Sequence, residues 1–133
     1  MTVTRRILVV DDDPMVLLVF RDILGALGDA YEVVATQSGL EALDEVKQEP
    51  FDLVITDLNM PDLGGIELTE EIRQATPDTA VVWITAYGCR SRSMDAARLQ
   101  IHSCYDKPLE VEEILQIACE ALRGESVRDD YQG

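Results

Sequence analysis

The chain has 133 residues, of which 47% are hydrophobic and 28% charged, the balance of one folded domain with a sizeable core rather than a disordered chain. Its formal charge of −15 repels phosphate backbones, so nucleic acid is a poor direct partner. No apolar stretch approaches the roughly eighteen residues of a membrane span. The start, Met1-Thr-Val-Thr-Arg-Arg6, lacks the apolar region and cleavage site of a secretory signal, and the expected location is cytoplasmic.

Strand and helix patterns alternate five times along the chain. A first strand is expected at about Arg6–Val10, and a first helix from Pro14 to about Leu27. That helix carries Val16, Leu17, Phe20, Ile23, Leu24 and Leu27 on one stripe. Asp13 followed by Pro14 is a start signal, a carboxylate cap before a residue that needs no N–H. Gly28 ends the helix. A second strand covers Tyr31–Thr36, and Ser38 caps a second helix that runs to about Glu49 before Pro50. The third strand is about Asp52–Thr56. The loop Asn59-Met-Pro-Asp-Leu-Gly-Gly65 leads to a helix at about Ile66–Ala75. The fourth strand is about Ala80–Ile84, followed by a weakly patterned helix at about Arg90–Leu99. The fifth strand is about Ile101–Tyr105. A last helix after Lys107-Pro108 should bury Val111, Ile114, Leu115, Ala118 and Leu122. The alternation implies a parallel sheet covered on both faces, with one domain over residues 1–123 and a polar, mobile tail over 124–133.

Asp11, Asp12, Asp57, Thr85 and Lys107 all fall at the carboxyl ends of short, β-branched runs. That rim is where ligands bind in open α/β sheets. Two unit charges about 5 Å apart repel by about 3 kcal/mol at an effective dielectric near 20, so a cluster of three carboxylates needs an offsetting charge. A hard divalent cation such as Mg²⁺ supplies one, since it takes oxygen ligands and keeps waters beside one or two carboxylates and a phosphate. Lys107 supplies another; the only other lysine is Lys47. A carboxylate beside Mg²⁺ and an ammonium can act as a nucleophile toward phosphorus. Thr85 offers a hydroxyl to the resulting phosphate. Taken singly, each residue has an ordinary structural role: a helix cap for the acidic pair, a turn residue for Asp57, a strand-end hydroxyl for Thr85, a surface charge for Lys107. Their shared placement argues for a site.

Cys89, Cys104 and Cys119 are odd in number, with no CxxC spacing and a single histidine, His102. They read as small buried hydrophobes, not as a disulfide framework or a zinc site. His102 lies at a strand start and is not read as a phosphodonor. No Walker-type Gly-x-x-x-x-Gly-Lys supports nucleotide binding.

In their order and spacing, Ile7-Leu-Val-Val-Asp-Asp-Asp-Pro14, Val54-Ile-Thr-Asp-Leu-Asn-Met-Pro61, Ile84-Thr-Ala-Tyr-Gly88 and Asp106-Lys-Pro-Leu109 resemble the receiver domain of two-component response regulators over roughly residues 5–123. The resemblance implies a flavodoxin-like (βα)5 fold with strand order 2-1-3-4-5, an order whose general rule already takes a receiver protein as an example. It implies that Asp57 accepts a phosphoryl group from a histidine kinase or histidine phosphotransfer protein. Asp12, Asp57 and the backbone carbonyl of Asn59 would ligate Mg²⁺ directly, with Asp11 acting through water. Thr85 would be the switch hydroxyl, Lys107 the phosphate-pairing amine, and the Lys107–Pro108 bond cis. Asn59 and Tyr87 match positions that tune the lifetime of the phosphate. Many relatives carry an aromatic residue where this chain has Cys104, with Tyr105 one step later. Either the strand shifts register to use Tyr105, or the usual threonine–aromatic coupling is absent; the second is expected. Gly64 stands where relatives often carry Asp or Asn, and glycine is an acceptable cap.

Two other readings compete. A small phosphohydrolase of the haloacid-dehalogenase kind could be forced onto Asp11 and Asp13, but it needs a further acidic pair on a strand after the lysine, where only one helix is expected. A receiver-like module that binds partners without phosphorylation is the other. Autophosphorylation and slow autodephosphorylation are the only chemistry expected of the switch. Output is expected through the fourth helix, fifth strand and fifth helix, where residues 88–104 carry Arg90, Arg92 and Arg98 against Asp95. This basic surface suits an acidic protein partner, with the chain a monomer or a phosphorylation-dependent dimer.

Overall fold

The computed structural model describes residues 4–86 and 88–123. Its five strands are β1 (Arg5–Val10), β2 (Tyr31–Thr36), β3 (Leu53–Asp57), β4 (Ala80–Thr85) and β5 (Ser103–Asp106). They alternate with α1 (Pro14–Gly25), α2 (Gly39–Gln48), α3 (Gly65–Ala75), α4 (Ser93–Arg98) and α5 (Val111–Arg123). All pairings are parallel, in the order β2-β1-β3-β4-β5. This is the flavodoxin-like doubly wound sheet that the strand–helix alternation implies.

Side chains alternate along each strand, and the two faces of the sheet bury different sets. Leu8, Val10, Val54, Val81 and Trp83 pack under Ala42 and Val46 of α2, Leu68 and Ile72 of α3, and Ala96 of α4. Ile7, Val9, Leu53, Ile55, Val82 and Ile84 pack under Leu17, Phe20 and Leu24 of α1 and Ile114, Ile117, Ala118 and Ala121 of α5. Trp83 is fully buried. Its indole N–H donates to the Thr69 hydroxyl at 2.9 Å, and that hydroxyl donates to the Gly65 carbonyl at 2.7 Å, so no buried donor is left unpaired there.

Several boundaries differ from the expected ones, each for a local reason. β3 and β4 run one residue further, because the ladder continues through Asp57 opposite Ile84 and Thr85 opposite Asp106. α1 stops at Gly25, where the Ala26 and Leu27 N–H groups bond back to Ile23 and Leu24 and tighten the last turn; Gly28 then takes φ +114°. The fourth helical segment is split into a 3₁₀ turn, Arg90–Arg92, and the six-residue α4. β5 begins at Ser103, with Ile101 buried ahead of it. Of the expected core of α5, Val111 is exposed and Leu115 and Leu122 are only half-buried, while Ile117 and Ala121 join Ile114 and Ala118 in the core. The stripe faces β3 and β4 only from Ile114 onward, so the first turn overhangs solvent. The tail expected at 124–133 lies outside the described residues.

The reading of the cysteines needs correction. Cys89 and Cys104 are buried, as expected of small hydrophobes, but they form a disulfide, with Cα atoms 5.8 Å apart and a sequence separation of 15. The register that sets Cys104 beside Trp83, and the turn after Gly88 that folds Cys89 back over β5, bring the pair within the span a disulfide needs. Spacing alone carried no sign of this. Cys119 is a free, half-buried thiol.

Candidate functional site

The loops at the carboxyl ends of β1, β3, β4 and β5 converge on one rim. Asp11 follows β1 directly and is fully buried, Asp57 ends β3 and is nearly so, and Asp12 is exposed. Each offers a carboxylate oxygen, and these oxygens all lie within 4.8 Å of one another. The two buried acids are held alike. Asp11 Oδ1 accepts from the Asp13 N–H at 2.9 Å, and Asp57 Oδ1 accepts from the Asn59 N–H at 3.1 Å. Each is an Asx turn, in which the side chain bonds the backbone two residues on. That bond fixes one oxygen and turns the other toward the shared notch.

Lys107, just past β5, enters the notch from the opposite side. Its Nζ lies 2.9 Å from Asp57 Oδ2 and 2.7 Å from Asp11 Oδ2. The contact with Asp57 is a hydrogen bond. Asp11 Oδ2 is off the hydrogen-bonding direction, so this buried oxygen has a charge partner but no hydrogen bond. Burial pushes the Asp11 carboxyl above its ordinary pKa, against the pull of Lys107 and the Asp13 N–H, and the Asp57 charge adds to the rise. Burial alone would depress Lys107, but its ion pairs with Asp11 and Asp57 outweigh that and hold it above its ordinary value. The lysine therefore stays an ammonium, facing two carboxylates with a third beside them.

A backbone frame positions these groups. The Lys107 N–H donates to the Thr85 carbonyl at 2.7 Å, and the Leu58 N–H to the Ile84 carbonyl at 3.2 Å. β3, β4 and the start of the β5–α5 loop are thus tied together through their backbones. Thr85 is buried at the end of β4, one register step past the residue that pairs Asp57. Gly65 opens α3 against the Asp57 carbonyl, where a Cβ would overlap that oxygen. Asn59 is exposed in the loop after Asp57, and the Lys107–Pro108 peptide is cis. Tyr87 lies outside the described residues.

The strand register also locates Cys104 and Tyr105. Cys104 pairs with Trp83 and Tyr105 with Ile84. Cys104 faces the α4 side of the sheet and Tyr105 packs on the α1–α5 side, so the strand is not shifted to bring Tyr105 toward α4. Of the basic residues expected on this side, Arg98 is committed to Glu70 and Asp95, each at 3.0 Å. Arg90 and Arg92 are exposed.

One positioning residue escaped the sequence reading. Asp62, in the β3–α3 loop, accepts from the Ser38 hydroxyl, from the Gly39 N–H at 3.1 Å, from the Leu40 N–H at 3.3 Å and from the Leu63 N–H at 2.7 Å. These bonds, led by that of Ser38, hold its carboxyl far below the usual range. It ties the loop after Asp57 to the start of α2. Its only sequence signal was an acid in a turn-rich loop, and nothing in the sequence pointed to the helix it reaches.

Three convergent carboxylates, one of them with a buried oxygen lacking a hydrogen bond, form a hard-oxygen donor set of the kind Mg²⁺ takes. A comparison with known proteins agrees with the geometry. A family profile described as the response regulator receiver domain matches residues 7–118. The chain is 34% identical over 116 residues to the transcriptional regulatory protein GlrR of Escherichia coli (strain K12), an alignment covering 87% of this chain and 26% of GlrR. It is 34% identical over 122 residues to the sensor histidine kinase RcsC of Salmonella typhi, covering 92% of this chain and 12% of that protein. The chain thus spans about a quarter or less of the length of these relatives. Its fold superposes with a TM-score of 0.84 on a CheY-like response regulator receiver domain protein from Methanospirillum hungatei JF-1, at 29% identity, covering 91% of this chain and 95% of that one. A dehalogenase-type hydrolase is thereby set aside, and among the described residues no strand follows Lys107 to carry its second acidic pair. The chain belongs to the receiver domain family of two-component response regulators, whose domains are signalling switches of the phosphorelay type.

Proposed function

We propose that Asp57 is the phosphoacceptor and that residues 1–123 form the receiver domain. The observation that carries this reading is the clamp on Asp57. One of its oxygens is tied to the Asn59 N–H and the other to Lys107, 2.9 Å away, beside Asp11 and Asp12. An Asp57 oxygen attacks the phosphorus of a phosphohistidine donor, the P–N bond breaks as the P–O bond forms, and the imidazole leaves with the electron pair. Lys107 offers its ammonium to charge gathering on the phosphoryl oxygens. Asp11, Asp12, Asp57 and the Asn59 carbonyl would hold Mg²⁺, which when bound neutralises phosphoryl charge and orients the group for in-line transfer. Thr85 is the hydroxyl that meets the new phosphate, and Asn59 and Tyr87 set how long it lasts. The donor is a histidine kinase or phosphotransfer protein of the cytoplasm.

Output runs through α4, β5 and α5, with Arg90 and Arg92 as the open charges for an acidic partner, either as a monomer or as a dimer formed on phosphorylation. Mass spectrometry after incubation with acetyl phosphate and Mg²⁺ tests the core of this reading. One phosphoryl group per chain is expected, none without Mg²⁺, and none in Asp57→Ala. An unmodified wild-type chain would leave the phosphorylation-independent module as the better description. Titrating a partner against both forms tests the output, and equal affinities would remove it.

A further inference from the structure

We propose that the Cys89–Cys104 pair is a reversible thiol–disulfide modification site. Oxidised, it tethers residues 88–99 to β5. Reduced, it releases them, so that a phosphoryl group on Asp57 moves this segment only in the reduced chain. The inference rests on the phosphoacceptor reading for its last step alone.

Placement is the first argument. Cys89 lies four residues after Thr85 and Cys104 three before Lys107. The bond therefore joins the segment that leaves the rim after Thr85 to the strand that reaches the rim at Lys107. The second argument is how little else holds the segment. The 3₁₀ turn buries no residue and α4 buries only Ala96, while Met94 is 86% exposed. Leu99 and Ile101, the Arg98–Glu70 ion pair and the Arg73 bond to the Leu99 carbonyl anchor the far end, which leaves Cys89 as the buried anchor of the near end. Third, the bond is not needed to build the domain. Disulfides commonly staple small domains that lack a sufficient core, and here both faces of the sheet are fully packed. Fourth, the site is reachable. Cys89 is buried at the core edge, but the turn Arg90–Arg92 that follows it is exposed and buries no residue, so local opening of that turn brings its sulfur to solvent.

The co-reactants are a small disulfide for closing and a dithiol for opening. In closing, the Cys89 thiolate attacks one sulfur of the small disulfide and its S–S bond breaks, expelling one thiolate. The Cys104 thiolate then attacks Cys89 Sγ and expels the second thiolate. The two cysteines lose two electrons and two protons, and the small disulfide becomes two thiols. Opening by a dithiol reverses the exchange and leaves the dithiol as a cyclic disulfide.

Limited trypsin digestion of the full chain at Arg90 and Arg92 reads the tether, and alkylation under denaturing conditions counts thiols. The oxidised chain should show one free thiol, Cys119, and the chain treated with dithiothreitol three. Reduction should speed cleavage at Arg90 and Arg92 about tenfold or more, as expected when a local segment opens, with cleavage elsewhere unchanged. Cys89→Ala should cleave at the fast rate under both conditions and Cys119→Ser should behave as wild type. With acetyl phosphate and Mg²⁺, cleavage at these sites should change in the reduced chain and stay constant in the oxidised one. Three thiols in the chain after treatment with oxidised glutathione, or equal cleavage of oxidised and reduced chain without donor, would overturn the tether. A phosphoryl-dependent change of equal size in both forms would overturn the gating. If neither form takes up phosphate, the Asp57 reading fails and the gating with it, while the donor-free arm still decides the tether.

Discussion

Lys107 carries the electrostatics of the notch. Its ammonium faces a fully buried Asp11 and a nearly buried Asp57 at 2.7 and 2.9 Å. Breaking a buried ion pair from one side costs about 3–5 kcal/mol. The lysine side chain is 23% exposed, so Lys107→Ala should destabilise the metal-free chain by a smaller amount, about 2 kcal/mol, and Mg²⁺ should restore part of it. Urea denaturation with and without Mg²⁺ measures both. Asp11→Asn should act in the opposite direction. Burial already disfavours its charge, so the variant should melt higher in chelator while losing Mg²⁺-dependent phosphorylation. Asp62 contributes through hydrogen bonds to its ionised form, which lower its pKa from an ordinary value near 3.8. A depressed acid stabilises the fold above that value and loses the effect as pH falls toward the folded-state pKa. Asp62→Ala should therefore lower Tm at about pH 6, with the gap to wild type closing as the acid protonates below about pH 3; a thermal melt series shows this directly.

At the scale of elements, the carboxyl end of β3 is set by what packs on it. Gly65 lets α3 begin against the Asp57 carbonyl. A methyl there forces helix or strand to move, and overpacking of this kind costs about 1–3 kcal/mol. Gly65→Ala should lose that much in a denaturant titration and take up phosphate more slowly, because the displaced atom belongs to the acceptor residue itself. The segment from Cys89 to α4 is held differently, by one covalent bond, a few apolar contacts and the exposed Arg98–Glu70 ion pair. Closing a loop of 15 residues removes unfolded-state entropy equivalent to about 3 kcal/mol. Reduction should lower global stability by up to that amount, as a shift in denaturation midpoint between oxidised chain and chain in dithiothreitol, with Cys89→Ala matching the reduced value.

For the whole molecule, a charge of −15 sets a background repulsion that every local gain works against. Added NaCl should screen it over a Debye length of about 3–10 Å and raise Tm, and Mg²⁺ at equal ionic strength should raise it further by filling the notch. Equal effects of the two salts would argue against specific binding. The two apolar layers offset this repulsion. The long ladders from β2 to β5 hold four separate loops in one place, which local sequence could not do.

The fold and most of the rim were legible in the chain because they follow local rules. Alternating apolar runs and capped helices specify a parallel sheet, and residues at the carboxyl ends of such strands must share an edge. That logic reached Asp11, Asp12, Asp57, Thr85 and Lys107 without coordinates. It did not reach the pairing of Cys89 with Cys104, the reach of Asp62 to α2, or the loss of Arg98 to Glu70. Each of these joins residues far apart in sequence. Periodicity says which face a side chain takes. Which neighbour it meets there depends on register, crossing distance and the path of a turn, and those emerge only when the whole sheet has packed.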